Sequence, residues 1–253
     1  MIVDDFLWGA RCLLRGFGWI RRPGLRRYVI VPLLINLLIF SATLYWAYRR
    51  FDSWLSLILP ESMSWLAYLL WPIAILAVLV ITFYTFTLVA NFIGSPFNDR
   101  LAEAVARRLD SPPSPGRQTS SWVRQISGAL LGELRKWAYF ALLFVGLLLI
   151  WLFPLTTVLT PVVGLLLSAW IGAFEYLDYA MENAGLSFGE KRRWLRRQRG
   201  AALGFGAAVV GATMIPVVNF AVMPAAVAGA TELWVRRQAP PGQPTSPADE
   251  PSG

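Results

Sequence analysis

The sequence predicts an all-α integral membrane protein, built from two long transmembrane helices plus two Pro-broken helical hairpins, expected to be re-entrant, with amphipathic interfacial helices. Three observations carry that expectation. Apolar residues make up 56% of the chain against 15% charged, and the mean hydropathy is +0.52, so polar surface is too scarce for a water-soluble domain. Four long runs hold no charge at all: Tyr28–Tyr48, Ser62–Asn98, Trp137–Phe174 and Gly200–Thr231. Most of the 23 Lys and Arg sit at the margins of those runs, where cytoplasmic-face cations belong. That placement, rather than a basic patch, explains the formal charge of +8, and nucleic acid is not expected as a partner. With 253 residues the chain has room for one helical membrane domain, residues 1–237, followed by a tail at 238–253.

Tyr28–Tyr48 is twenty-one residues long, which at about 1.5 Å per residue matches a hydrocarbon core of about 30 Å. It is read as the first crossing. The run Ser62–Asn98 keeps an uninterrupted apolar stretch between Pro72 and Ser95-Pro96 and is read as the second. In the connector Arg49–Trp65, Arg49 and Arg50 are balanced by Asp52 and Glu61, whereas the flanks elsewhere are basic, so the connector is expected outside and both termini in the cytoplasm.

The third and fourth runs carry paired prolines, Pro154 with Pro161 and Pro216 with Pro224. Proline removes a backbone donor and disfavours helix at the residue before it, so each run is expected to fold as helix, turn, helix. Arms of roughly 13 to 17 residues are short for a full crossing, and both ends of each run are basic or polar. Two readings follow: hairpins that dip in and return, with the turns at Thr156-Thr157 and Asn219 shielded by protein, or four short tilted spans. Met1–Ile20, Phe97–Leu109 and Trp122–Trp137 place basic residues beside Trp and Leu and read as interfacial helices. Residues 111–116, SPPSPG, read as a loop; Ala239–Gly253, with five prolines and no aromatic residue, reads as a disordered cytoplasmic tail.

One short stretch, Arg21–Arg27, reads RRPGLRR, and no Asp or Glu occurs between Asp5 and Asp52. Proline suits the first turn of a helix, so a helix starting at Pro23 leaves the N–H groups of Gly24, Leu25 and Arg26 free of intrahelical partners. The helix dipole, a glycine that admits close approach, and the planar forks of Arg26 and Arg27 all favour an oxyanion there. A donor-only site suits an anion without a hydroxyl, such as sulfate, better than hydrogen phosphate. The competing reading is that the arginines only anchor the helix end.

PGLRRYVIVPLLINLLIF, the NFIGSPFND of Asn91–Asp99, the SAW of Ser168–Trp170, EYLDYAMEN around Asp178, and MIPVVNFAVMPAAVAGATELWV of Met214–Val235 follow in a specific order and spacing. Together they resemble the CysZ-type sulfate permeases of bacterial inner membranes. The resemblance implies a helical membrane protein that brings sulfate into the cytoplasm for cysteine synthesis, with two long transmembrane helices, two hairpins entering the bilayer part-way, and an oligomer of several protomers. It also implies a sulfate site in the GLR motif, at Gly24, Leu25, Arg26 and Arg27. The acidic motif departs from the family's commoner YxDYPFDN, with Ala180 in place of proline and Glu182 in place of aspartate.

Glu175, Asp178 and Glu182 line one helix face beside the basic cluster Lys191–Arg199. They read either as an ion-pair network or as a group coupling transport to protons. The chain has no histidine, no nucleophile elbow and no P-loop, and Cys12 is its one cysteine, so no enzyme activity, cofactor, metal or disulfide is expected. The rival from another class is a membrane scaffold whose arginines bind anionic lipid headgroups. Sulfate, membrane lipids and a homo-oligomer are the expected partners.

Overall fold

The structure, a computed structural model, describes residues 2–58, 72–73, 76, 80, 84, 93–109, 122–153 and 156–238. Among them all regular secondary structure is helical. The helices are α1 (Ile2–Arg21), α2 (Arg27–Ile58), α3 (residues 93–108), α4 (Trp122–Leu152), α5 (Thr160–Asn183), α6 (Phe188–Arg197), α7 (Arg199–Thr213) and α8 (Pro216–Gln238). The chain divides into two units, Met1–Leu25 with Asp99–Gly253, and Arg26–Asn98.

Four stretches are long and apolar enough to cross a membrane: Arg27–Trp46, Leu131–Leu152, Thr157–Asn183 and Pro216–Gln238. This is an all-α membrane protein. The expected second crossing, the 111–116 loop and the 239–253 tail lie largely or wholly outside the described residues.

In the unit Arg26–Asn98, α2 runs for 32 residues, past Tyr48 and through the first part of the expected connector. No proline or glycine occurs between Pro32 and Pro60, so nothing in the sequence stops the helix at its first charge. Ile30, Leu33, Leu34, Leu37 and Leu38 are exposed, as suits a lipid-facing surface.

The larger unit has its core where α1, α5, α7 and α8 meet, around Leu13, Phe174, Leu177, Phe205, Ala226 and Leu233. Small residues set the spacing. A Cβ on Gly204 would stand 1.9 Å from the Phe6 carbonyl oxygen of α1, and one on Gly206 would stand 1.7 Å from that of Ala169 in α5. Helix α7 is therefore clasped between α1 and α5, with backbones in contact on both sides, as small-residue packing allows. Gly9, Cys12, Leu13, Gly16, Trp19 and Ile20 form the buried face of α1, while Leu7 and Leu14 stay exposed.

Both expected hairpins are present; three of their four arms are longer than the proline positions suggest, while α7 has about the expected length. Helices α4 and α5 have 31 and 24 residues, and α7 and α8 have 15 and 23. Pro161 falls at the start of α5 and Pro216 at the start of α8, where a missing N–H costs nothing; Pro224 sits inside α8 without ending it. Trp122–Trp137 is not a separate surface helix: it is the first half of α4, continuous with the apolar run.

The first turn lies where expected, at Thr156 and Thr157. The Thr156 hydroxyl donates to the Ile150 carbonyl at 2.6 Å and that of Thr157 to the Trp151 carbonyl at 3.0 Å, so side chains satisfy the carbonyls that α4 leaves open at its end. The second turn is at Met214-Ile215 rather than Asn219, which belongs to the first turn of α8 and whose N–H donates to the Ile215 carbonyl at 2.9 Å.

Candidate functional site

The RRPGLRR stretch is a turn, not a helix start. Arg22 N–H donates to the Trp19 carbonyl and Leu25 N–H to the Arg22 carbonyl, each at 3.1 Å, and Gly24 has φ +84°. Proline and a left-handed glycine at the two central positions are what a type II turn requires. Helix α2 starts at Arg27, four residues later than a helix begun at Pro23. The Leu25 amide is therefore committed to the turn and not open to an anion, which corrects the amide geometry expected from the sequence. The physical cause is the glycine, which closes the turn at no steric cost and so competes with helix propagation.

Within the larger unit this turn is held from two directions. From α3, Arg108 Nη2 donates to the Pro23 carbonyl at 2.7 Å, and the same nitrogen would stand 3.1 Å from a Cβ on Gly24. From α1, the Arg22 guanidinium lies 3.9 Å over the Trp19 ring, and Trp19 Nε1 donates to Glu232 Oε2 at 2.7 Å. Leu25, 1% exposed, anchors the end of the turn in the core.

Arg26 and Arg27 open the other unit, both exposed. The Arg26 carbonyl accepts from the N–H groups of Val29 and Ile30, at 3.1 and 2.9 Å, and so begins α2. Arg27 Nη2 donates to the Tyr28 hydroxyl at 2.9 Å, with the guanidinium 4.8 Å over that ring. No acidic partner takes either guanidinium among the described residues. Of the four predicted residues, two are thus structural in the turn, and two present exposed guanidiniums, that of Arg27 resting on Tyr28.

Sequence reasoning missed Glu232, which is 1% exposed on α8. Besides Trp19, it meets Arg15 Nη1 at 3.2 Å and Arg236 Nε at 2.9 Å. Its signal was slight: it is the only carboxylate between Glu190 and Asp249, and it stands four residues before Arg236. Arg15 and Trp19 repeat that spacing on α1. Cys12 lies in the same buried region, and burial, reinforced by the negative charge of Glu232, pushes its thiol up from 9.0 to about 12.

A second charged layer ties α4, α5 and α6. Lys136 Nζ donates to Glu133 at 2.8 Å and to Asp178 Oδ2 at 2.9 Å; Lys191 Nζ donates to Asp178 Oδ1 at 2.6 Å and to Glu182. Asn183 Nδ2 donates to the Asp99 carbonyl at 3.1 Å. Asp178 and Glu182, two of the three carboxylates picked out on one face of α5, are thus paired with the buried Lys191, and Asp178 also with the half-buried Lys136, which is the ion-pair reading. Because Glu182 still reaches Lys191, the change from the commoner aspartate keeps the charge contact.

Comparisons with known proteins bear on the whole chain. The family model described as Sulfate transporter CysZ/Etoposide-induced protein 2.4 matches residues 12–224. A relative named Sulfate transporter CysZ from Pseudomonas aeruginosa PAO1 is 39% identical over 237 residues, covering 91% of this chain and 95% of the relative. One of the same name from Pectobacterium atrosepticum is 36% identical over 233 residues, 90% of this chain and 85% of the relative. Another from Pseudomonas syringae pv. tomato is 38% identical over 238 residues, 92% and 93% respectively. With four apolar helices of crossing length, these matches make it a multi-pass membrane protein, and the chain belongs to the Sulfate transporter CysZ/Etoposide-induced protein 2.4 family.

Proposed function

We propose that the protein carries sulfate across the bacterial inner membrane into the cytoplasm, where it supplies cysteine synthesis, and that Gly24, Leu25, Arg26 and Arg27 form the segment that binds the anion. The observation that carries the transport reading is the identity of 36 to 39%, over nine-tenths of the chain, to relatives named sulfate transporters. The binding segment is supported by local chemistry: two exposed guanidiniums follow a glycine turn in a stretch of sequence with no carboxylate between Asp5 and Asp52. A guanidinium offers parallel N–H donors that match two sulfate oxygens, and sulfate needs no acceptor in return. In this reading the Arg22–Leu25 turn is a brace, and Arg26 and Arg27 make the charge-assisted contacts.

Both termini are assigned to the cytoplasm, and the working form is a homo-oligomer, since one small protomer has few helices with which to enclose a hydrated path. Catalysis has no part in this reading.

Flux of radiolabelled sulfate into proteoliposomes tests transport. Uptake above that of empty vesicles is expected, and its absence, together with loss of sulfate binding when anionic lipid is added, would make the protein a lipid-binding scaffold. Calorimetry tests the segment: Arg26→Ala and Arg27→Ala should each weaken sulfate binding by about 1.5 to 3 kcal/mol, the scale of a hydrogen bond to a charged group. Parent-like binding by both variants would move the site elsewhere.

A further inference from the structure

Helix α6 has a docked face and an open one. Lys191 and Leu195 are buried, and the half-buried Trp194 ring meets Trp234 of α8 edge-on with centroids 5.0 Å apart. The other side exposes Arg192, Arg193, Arg196 and Arg197. Arg192 is occupied, with its guanidinium 5.6 Å over the Tyr139 ring of α4. Arg193, Arg196 and Arg197 make no ion pair with a carboxylate among the described residues, although the charge of Arg193 acts on Glu190 from beyond ion-pair distance.

The carboxylates that might serve them are already engaged. Glu190, the acid of α6 itself, turns back to the helix start, where it accepts from the Ser187 N–H at 2.8 Å and from the Ser187 hydroxyl at 2.5 Å. Lys191 holds Asp178 and Glu182, and Lys136 holds Glu133 and the second oxygen of Asp178. The lysines neutralise this layer internally and the arginines are left over. Residues 193, 196 and 197 are spaced i, i+3 and i+4, so the three forks point to one side.

The fold also sets the level of that side. Helix α6 connects the end of α5 at Asn183 to the start of α7 at Arg199, while the two hairpin tips, at Thr156-Thr157 and Met214-Ile215, lie at the far ends of those helices. It therefore lies at the margin of the apolar layer, where α5 leaves it and α7 enters. Trp137 of α4, 67% exposed and two residues from the Tyr139 that carries Arg192, is the aromatic marker of a headgroup region.

We propose that Arg193, Arg196 and Arg197 bind the phosphodiester headgroups of anionic phospholipids in the protein's own membrane. A guanidinium fork matches two phosphate oxygens, and lipid phosphate is already concentrated at this level, whereas a free anion must be captured from solution. The lipids clamp the base that joins the two hairpins. This assignment stands apart from the sulfate reading, because α6 shares no residue with the Gly24–Arg27 segment.

The test is native mass spectrometry of the full-length protein in neutral detergent, titrated with phosphatidylglycerol or phosphatidylcholine. The parent should bind phosphatidylglycerol more tightly, and millimolar inorganic phosphate should leave that binding in place. Each arginine near an anionic surface contributes about fivefold, so Arg193→Gln/Arg196→Gln/Arg197→Gln should lower the affinity about 100-fold, while the triple lysine variant stays within about fivefold of the parent. Equal binding of the two lipids by the parent overturns the proposal, as does parent-like binding by a folded glutamine variant. Displacement by phosphate would mean a free-anion site instead. If the glutamine variant does not fold, the lipid comparison and the phosphate competition still decide.

Discussion

Glu232 is surrounded by donors, one from Trp19 at 2.7 Å and charged contacts from Arg15 and Arg236 at 3.2 and 2.9 Å, and its carboxylate is cut off from water. Removing one member of such a group leaves the others buried and unmatched. Glu232→Ala should therefore destabilise the protein by about 3 to 5 kcal/mol, and Trp19→Phe, which keeps an aromatic ring under Arg22 but removes the N–H together with the five-membered ring, by about 1 to 3 kcal/mol. Thermal unfolding in detergent checks both, and a Glu232→Ala variant that melts like the parent would show that the group contributes nothing to folding.

Cys12 next to it gives an independent readout. Its thiol is fully buried and its pKa is raised to about 12, so it stays neutral at pH 7 and native protein should resist maleimide until unfolded. The raised folded pKa means that its contribution to stability is complete below the ordinary value of 9.0 and is lost as pH climbs from there toward about 12. At this scale the sequence was partly legible. Arg26 and Arg27 are exposed cations as expected, but the role of Glu232 depends on α1 meeting α8 across more than two hundred residues, and no local pattern reports that. The Leu25 amide was misjudged because Pro-Gly supports both a helix start and a type II turn, and local sequence does not choose between them.

Among the elements, α6 shows how a helix of ten residues is fixed. The Ser187 and Glu190 side chains close a capping box at its start, and these hydrogen bonds hold the Glu190 carboxyl below the ordinary 4.5. Ser187→Ala should cost about 0.5 to 2 kcal/mol. A depressed folded pKa makes the Glu190 contribution present above 4.5 and lost as pH falls through the lower folded value, so parent and Glu190→Gln should converge in stability in acid and separate near neutrality. A constant difference down to acid pH would detach the box from the helix.

Helix α7 depends instead on missing side chains. With the Ala169 oxygen 1.7 Å from a Cβ at position 206, Gly206→Ala must push α5 away, at about 1 to 3 kcal/mol. A fully stable variant would show that the two helices separate without penalty. Charge-free runs and prolines located the hairpins, because lipid exposure writes itself into composition. They misplaced the ends, because Pro161 and Pro216 begin helices and Pro224 is absorbed by one, and proline alone does not say which of these happens.

For the whole molecule, the lengths decide what the hairpins do in a bilayer. Helix α7 starts at Arg199, beside the arginines of α6 and so at the headgroup level, and its 15 residues reach only about 22 Å inward, short of a hydrocarbon core of about 30 Å. The tip it leads to is apolar and open, with Val217 82% exposed and Met214, Ile215 and Phe220 beside it; Val158 is 81% exposed at the other tip. Side chains of that kind suit lipid tails or another copy of the chain, and would be stranded in water if the tips emerged on the far side. On this argument the hairpins are expected to turn back inside the bilayer, even though α5 and α8 are long enough by themselves to cross. In a Cys12→Ser background, single cysteines at Val158 and Val217 should resist an impermeant maleimide from outside intact cells. A fluorophore attached there in vesicles should be quenched by lipids brominated on the acyl chain. Rapid external labelling without acyl-chain quenching would establish complete crossings, and α7 would then have to thin the membrane or tilt its neighbours to span it.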